Sequence, residues 1–108
     1  MLKFSIVISF YNEGVRILKV LEHLSINKTL FGEIVCVDDG SIDNASELIS
    51  SNFPLVKLIK IPKNVGKSGA VHTGVMNATE ENIILMDADL KNADSLNWGE
   101  LLTVYGEH

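Results

Sequence analysis

The chain has 108 residues, of which 46% are hydrophobic and 21% charged, and its formal net charge is −5. This length suits one domain, residues 1–108, with a single modest core, and the negative charge argues against a nucleic-acid or anionic-membrane partner. The start of the chain lacks the pattern of a signal peptide or a membrane span, so no membrane span and a cytoplasmic location are expected, with any membrane association supplied by a missing part or a partner.

The first predicted strand is FSIVISF (4–10), a run rich in β-branched and aromatic residues. A helix is predicted to follow, with Asn12 placed to cap its start. Its apolar residues recur at helical spacing, at Val15, Leu18, Leu21 and Leu24.

EIVCVD (33–38) predicts the second strand, and Cys36 within it is expected to be a buried structural thiol. A shorter helix is predicted over residues 45–49, with Ser41 or Asp43 as its cap. Like the first strand, this run is nearly continuous in apolar residues, which is typical of parallel strands covered on both faces.

VKLIKI (56–61) predicts a third strand, and its lysines favour a sheet edge with one solvent-exposed face. A third helix is predicted from about Ser68 to Ala78, with small residues on one face that allow close packing on the sheet. NIILMD (82–87) predicts the fourth strand, and a last helix is predicted over about 94–105.

This alternation of strands and helices predicts a three-layer, Rossmann-like α/β fold with a parallel sheet and helices on both faces. The expected strand order is 3-2-1-4, and ligands bind such sheets at the carboxyl ends of the strands beside the switch point. Three polar clusters fall at that edge: YNEG after the first strand, DDGS after the second and DADL after the fourth.

In DADL, Asp87 and Asp89 are two residues apart, so in an extended segment both carboxylates face one ligand. Two hard oxygen donors suit Mn²⁺ or Mg²⁺ bound together with substrate phosphates. The alternative is a polar strand end that merely solvates a turn. In VDDGSID, capping of the next helix and contact with a ligand by Asp38 or Asp39 remain equally open.

Two further stretches border the same edge. Tyr11 could stack on a flat base and Glu13 could accept hydrogen bonds from hydroxyls. The alternative is a surface aromatic followed by an Asn cap, and by itself this stretch is weak evidence for a ligand. In PKNVGKSGAVHTG (62–74), Lys63 and Lys67 lead into a helix start that favours anions. The glycine spacing there fits neither a P-loop nor a dinucleotide-binding fingerprint.

Four segments in register resemble the nucleotide-binding half of family 2 glycosyltransferases, which have the GT-A fold. They are SIVISFYNE, EIVCVDDGSIDNA, IPKNVGKSGAVHTGV and NIILMDADL. The resemblance covers roughly residues 3–90. It implies a donor-binding domain for a UDP- or GDP-linked sugar, which is transferred to an acceptor hydroxyl or phosphate.

The resemblance also implies roles for individual residues on the nucleoside side. Tyr11 and the backbone from Ser9 to Tyr11 would border the base, and Glu13 would lie near the ribose. Asp39 would accept a hydrogen bond from the base, with Asp38 beside it.

On the diphosphate side, the resemblance places Lys67 near the base or the phosphates. Asp87 would lie toward the ribose and Asp89 toward the metal, Mn²⁺ or Mg²⁺, which would neutralise the leaving diphosphate. A metal–diphosphate complex would also explain why a negatively charged chain binds an anion.

Members of this family are about twice as long or more, and their second half supplies the acceptor pocket and, in inverting members, the catalytic base. No catalytic base is identifiable here, so we expect weak or no transfer by this chain alone. The alternative is a non-catalytic remnant that acts as an interaction or oligomerisation module. If the fourth strand is a free sheet edge, homo-oligomerisation through that edge or through the last helix is also expected.

Overall fold

The computed structural model describes residues 3–26, 32–88 and 104–105, with the backbone alone described at Ile26, at Asp87 and at 104–105. In chain order, the elements in this part are β1 (Phe4–Phe10), α1 (Gly14–Ile26), β2 (Glu33–Asp39), α2 (Ala45–Asn52), β3 (Lys57–Ile61), α3 (Lys67–Asn77), β4 (Asn82–Asp87) and β5 (Val104–Tyr105). The four predicted strands are confirmed to within one residue at each end.

One sheet contains the five strands of the described residues, in the order β3-β2-β1-β4-β5. β1 to β4 pair in parallel, which confirms the predicted order 3-2-1-4. β1 is central, and its residue Ser9 pairs with Val37 of β2 on one side and Asp87 of β4 on the other. The carboxyl ends of three strands therefore meet at one edge. Within the described part of the chain, no helix is long and apolar enough to cross a bilayer.

The core has a layer on each face of the sheet. Residues of α1 and α2 pack on one face, around the fully buried Ile6, Ile8 and Ile49. α3 packs on the other face, against Val7, Val35 and Val37. Helices therefore cover both faces, as predicted.

Cys36 lies in this core and is fully buried, as predicted. Burial raises the pKa of its thiol to about 12. A thiol with that pKa stays protonated at neutral pH and is not a nucleophile.

The buried face of α1 differs from the predicted one. Its fully buried residues are Ile17, Val20, Leu21 and Leu24, whereas Val15 is exposed. A helix has about 3.6 residues per turn, so residues spaced three apart fall about 60° short of a full turn at each step. Over the three steps from Val15 to Leu24 the shift adds up to about half a turn. Val15 therefore lies on the opposite side of α1 from Leu24, and the stripe that includes Ile17 faces the sheet.

The predicted cap of α1 is also wrong. The side-chain oxygen of Asn12 accepts a hydrogen bond from the backbone N–H of Ile42, at 2.9 Å, rather than from its own helix. At α2, Asp43 Oδ1 accepts from the N–H of Ala45, the first helical residue, at 3.1 Å. The N-cap residue of α2 is Asn44, whose side chain makes no capping hydrogen bond. Asp43 lies one residue before it and satisfies the N–H of Ala45, while the Ser41 hydroxyl accepts from the Asn12 N–H.

The small face of α3 lies on the sheet, as predicted from its sequence. Ala70 and Gly74 are buried there, and a Cβ at Gly74 would lie 2.4 Å from Val7 Cγ1. No side chain fits in that gap, so Gly74 allows the helix to approach β1 closely.

β3 is an edge strand, as predicted, but the prediction of one solvent-exposed face is wrong. Leu58 packs against the core layer of α1 and α2, while Ile59 and Ile61 pack on the side of α3. Lys57 and Lys60 are exposed. Each face of β3 is therefore partly covered, and the two lysines reach past the apolar contacts to water.

Part of the fourth strand is paired on its outer side, so β4 is not a fully exposed sheet edge. β5 pairs with it in antiparallel fashion, with Tyr105 opposite Ile83 and Val104 opposite Ile84. This corrects two expectations: a helix reaching residue 105, and an unpaired β4. Residues 94–103 of the predicted helix lie outside the described part of the chain. Self-association remains a prediction, and the pairing with β5 covers the edge of β4 at Ile83 and Ile84.

A hydrogen-bonded cluster around Glu33 joins the amino-terminal ends of the strands. Its carboxylate accepts from Ser5 Oγ at 2.6 Å and from the N–H and hydroxyl of Thr79, and it lies 3.4 Å from Lys57 Nζ. Burial alone raises the pKa of Glu33, but these hydrogen bonds and the ammonium group outweigh burial, so the net pKa is lowered. The charged form of Glu33 therefore stabilises the fold.

Replacing Glu33 with glutamine is expected to lower the free energy of unfolding at neutral pH by about 1–3 kcal/mol, because several hydrogen bonds lose a charged acceptor. The folded-state pKa lies below the ordinary value of 4.5, so the advantage of the wild type is full above that pH. It is lost as the pH falls through the folded-state pKa. Urea unfolding of both proteins across this pH range measures the difference.

The control is Glu47→Gln, at an exposed glutamate whose Oε1 lies 3.9 Å from Lys60 Nζ. An exposed pair of this kind contributes little, so its loss should change stability by less than about 1 kcal/mol. A difference between wild type and Glu33→Gln that stays constant with pH would contradict the assignment.

Candidate functional site

A cleft of about 360 Å³ lies at the carboxyl ends of β1, β2 and β4. Its lining residues are Ser9, Phe10, Tyr11, Glu13, Asp39, Asn64, Gly66, Lys67 and Ala88. Beside this edge, the chain leaves β1 for α1 on one face of the sheet and enters α3 on the other. The cleft therefore occupies the switch point at which open α/β sheets bind ligands.

The end of β1 supplies one wall of the cleft. Ser9 and Phe10 are the last strand residues, and Tyr11, which follows them, is 45% exposed. The Glu13 carboxylate lines the cleft and lies 3.3 Å from Arg16 Nη1 one turn along α1. An exposed aromatic residue and an acidic residue thus line the same cleft.

Asp39 reaches the cleft from the end of β2. It is 3% exposed, and its Oδ1 accepts from the N–H of Val65 at 2.8 Å while Oδ2 accepts from the N–H of Gly66 at 3.0 Å. Each carboxylate oxygen can accept a second hydrogen bond. Asp39 therefore fixes the loop before α3 and retains acceptor capacity toward the cleft.

The loop that Asp39 holds ends at Lys67, the first residue of α3. Gly66 before it has φ 93° and ψ 160°, a conformation that is almost confined to glycine. The amino end of α3 and the Lys67 side chain thus meet at the cleft, and both favour a negatively charged group there.

Asp38 lies beside Asp39 in sequence but does not line the cleft. Its Oδ1 accepts from the N–H of Ser41 at 2.8 Å, and its Oδ2 accepts from the hydroxyl of Ser46. Successive strand residues point to opposite faces, so Asp38 is directed toward α2. This side chain shapes the loop after β2.

The predicted metal-binding pair is only partly within the described residues. The backbone of Asp87 ends β4 beside Ser9, and the buried Ala88 that follows lines the cleft. The side chain of Asp87 and the whole of Asp89 lie outside the described part. Among the described side chains, no group of three or more His, Cys, Asp or Glu could hold a metal ion.

Sequence reasoning missed three of the residues that line the cleft: Asn64, Gly66 and Ala88. The glycine-rich stretch after β3 indicated a loop, but nothing in it revealed that the loop folds back onto Asp39. Contacts between residues 26 or 27 positions apart leave no local pattern in the sequence.

A larger cavity, of about 430 Å³, lies at the opposite end of the sheet. It is lined in part by Ile34, Phe53, Leu55 and Val56, together with Glu33. None of the predicted site residues reaches it. It also lies at the amino end of β2, where this architecture does not place ligands.

The sequence model of the family described as "Glycosyl transferase family 2" matches residues 5–108, nearly the whole chain. The chain belongs to glycosyltransferase family 2. This confirms the family to which the four sequence segments pointed.

Several curated members of this family resemble the chain in sequence. It is 38% identical over 97 residues to a dolichyl-phosphate beta-glucosyltransferase of Saccharomyces cerevisiae, covering 79% of this chain and 29% of that protein. It is 35% identical over 94 residues to a dolichyl-phosphate beta-glucosyltransferase of Trichomonas vaginalis, covering 77% of this chain and 28% of that protein. The chain therefore spans less than a third of the length of these relatives.

Solved structures confirm the GT-A, Rossmann-like fold. S. aureus TarS in complex with UDP-GlcNAc superposes with a TM-score of 0.71 at 28% identity, covering 82% of this chain and 27% of that one. The mannosyltransferase PcManGT from Pyrobaculum calidifontis, in complex with GDP-Man and Mn²⁺, superposes with a TM-score of 0.68 at 26% identity, covering 81% and 27%. These two relatives of similar fold bind different nucleotide sugars.

Proposed function

We propose that this chain forms the donor-binding part of a glycosyltransferase and binds the nucleoside diphosphate of a UDP- or GDP-linked sugar in the cleft. The observation that carries the proposal is the cleft itself. It brings an accessible aromatic ring, a buried carboxylate and the amino end of a helix together at the switch point of a family 2 fold. Its volume lies in the range of small-molecule sites.

The nucleoside would lie between the walls of the cleft. Base stacking on an aromatic side chain contributes about 1–3 kcal/mol and tolerates any base, which suits the exposed Tyr11 ring. Asp39 would accept a hydrogen bond from a base N–H through a remaining lone pair, since backbone groups already hold its orientation. Glu13 would accept from the ribose hydroxyls, while Ser9 and its backbone would border the base.

The diphosphate would extend from the nucleoside toward the end of β4, with Lys67 at the rim of the cleft. Two carboxylates, Asp87 and Asp89, would hold Mn²⁺ or Mg²⁺ there. Their donor chemistry fits, because Mg²⁺ is usually held by one or two carboxylates together with waters and substrate phosphates. The backbone position of Asp87, paired with Ser9 and followed by a residue that lines the cleft, supports this assignment.

When bound, the metal would act as a Lewis acid toward the leaving diphosphate. The residues of this chain would bind and orient the donor so that its anomeric carbon faces an acceptor hydroxyl or phosphate. We assign no general base to the described residues.

Isothermal titration with UDP and with GDP, each with and without Mn²⁺, tests this proposal. We expect binding of at least one nucleotide that is at least about tenfold tighter with Mn²⁺, and loss of this enhancement in Asp89→Ala. Glu22→Gln, at an exposed glutamate of α1, is the matched control and should bind as the wild type does. Failure of folded wild type to bind either nucleotide in excess Mn²⁺ would overturn the proposal and favour a non-catalytic interaction module.

A further inference from the structure

We infer that Asn12 and Ser41 are positioning residues, which set the two cleft residues Tyr11 and Glu13 in place without lining the cleft themselves. Asn12 stands between Tyr11 and Glu13 in the turn from β1 to α1. Neither Asn12 nor Ser41 is among the residues that line the cleft. The inference rests on the proposed function and adds the groups that hold its nucleoside-binding wall.

Three hydrogen bonds join the β1–α1 turn to the β2–α2 loop, across 29 or 30 residues of sequence. The N–H of Asn12 donates to Ser41 Oγ at 2.8 Å, and Asn12 Oδ1 accepts from the N–H of Ile42 at 2.9 Å. The N–H of Gly14 donates to Asp43 Oδ2 at 3.3 Å. Asn12 therefore uses both a backbone and a side-chain group to hold the turn against the neighbouring loop.

The backbone conformation of Asn12 explains why this turn needs these three hydrogen bonds, which we call the inter-loop hydrogen bonds. Its φ is +53°, and within the described residues it is the only non-glycine position with positive φ. Asparagine tolerates this left-handed conformation better than most residues. The chain reversal at Asn12 sets the directions in which the backbone leaves Tyr11 and enters Glu13. The inter-loop hydrogen bonds therefore control the distance between the Tyr11 ring and the Glu13 carboxylate.

Ser41 is itself held from the core side of the sheet. Asp38, which is 3% exposed, accepts from the N–H of Ser41 and from the hydroxyl of Ser46 in α2. A continuous series of hydrogen bonds thus runs from α2 through Asp38 and Ser41 to Asn12. This gives Asp38 a function beside the site that does not require contact with the nucleotide.

The test measures nucleotide affinity in variants that remove the inter-loop hydrogen bonds but still allow the positive φ at residue 12. Asn12→Gly allows positive φ and removes the side-chain acceptor, so we expect it to weaken UDP or GDP binding in Mn²⁺ by about 5- to 20-fold. Ser41→Ala removes the acceptor of the Asn12 N–H, and we expect it to weaken binding by about 3- to 10-fold. Asn12→Asp keeps the acceptor and should stay within about threefold of wild type.

A second measurement separates positioning from a general loss of stability. If Asn12 acts through its neighbours, Asn12→Gly should cost little further affinity in a Tyr11→Ala, Glu13→Gln background. Equal losses in both backgrounds would overturn the inference, as would unchanged affinity in both Asn12→Gly and Ser41→Ala. In these cases wild type still binds nucleotide, so the proposed function survives. Absence of binding by folded wild type would reject both.

Discussion

Replacing Asp39 with alanine is expected to reduce nucleotide affinity by about a hundredfold or more and to lower the free energy of unfolding by about 2–4 kcal/mol. The carboxylate is almost fully buried, and its two oxygens hold the N–H groups of Val65 and Gly66. Without it, two backbone donors lose a charged acceptor and the loop before α3 loses its anchor. Calorimetric titration with UDP or GDP and urea unfolding measure the two losses.

The matched control for Asp39→Ala is Glu33→Gln. Glu33 also accepts several hydrogen bonds, but it lies at the amino-terminal end of the sheet, away from the cleft. The Glu33→Gln protein should therefore be less stable than wild type but bind nucleotide within about twofold of the wild-type affinity. Asp39→Ala that is destabilised yet binds normally would show that Asp39 holds the loop and has no contact with the nucleotide.

Gly40→Ala is expected to lower the free energy of unfolding by about 2–5 kcal/mol and to weaken nucleotide binding. Gly40 has φ +80°, and a Cβ there would lie 2.5 Å from the backbone nitrogen of Asn64 and 2.6 Å from the carbonyl carbon of Lys63. These are backbone atoms, so the loop itself would have to move. Because Asn64 lines the cleft, the movement also disturbs the site.

Gly66→Ala measures the cost of backbone strain without the steric overlap that is expected in Gly40→Ala. Gly66 also has positive φ, but a Cβ there would meet nothing within 4 Å. We expect a cost of about 1–3 kcal/mol from the backbone conformation alone, which is smaller than the cost of Gly40→Ala. Chemical unfolding of both variants gives the comparison. A Gly40→Ala protein as stable as wild type would contradict the close contact between this turn and the loop.

Most of the sheet could be predicted because its signals are local and strong. The apolar runs of β1, β2 and β4 are long enough to be buried on both faces, and their alternation with helices determines a parallel order. β5 could not be predicted in this way. A strand of two residues, paired antiparallel to β4, carries too little sequence to indicate its partner.

The site was predictable to the extent that it depends on strand ends. Tyr11, Glu13, Asp39 and Lys67 were identified from clusters that follow strands, and the structure brings all four to one cleft. Which groups these side chains meet depends on loop-to-loop contacts far apart in sequence. Asn12 illustrates this, because its short polar side chain suits both a helix cap and a left-handed turn, and only the position of Ile42 decides between them.

The most direct test of the central claim is to map where the nucleotide binds. In a titration of ¹⁵N-labelled protein with UDP or GDP and Mg²⁺, we expect the largest shifts at the amides of Tyr11, Gly66 and Lys67. Replacement of Mg²⁺ by Mn²⁺ should then broaden the amides nearest Asp87. Shifts confined to the cavity around Glu33 and Phe53, or no shifts at saturating nucleotide, would contradict a donor site at the carboxyl ends of the strands.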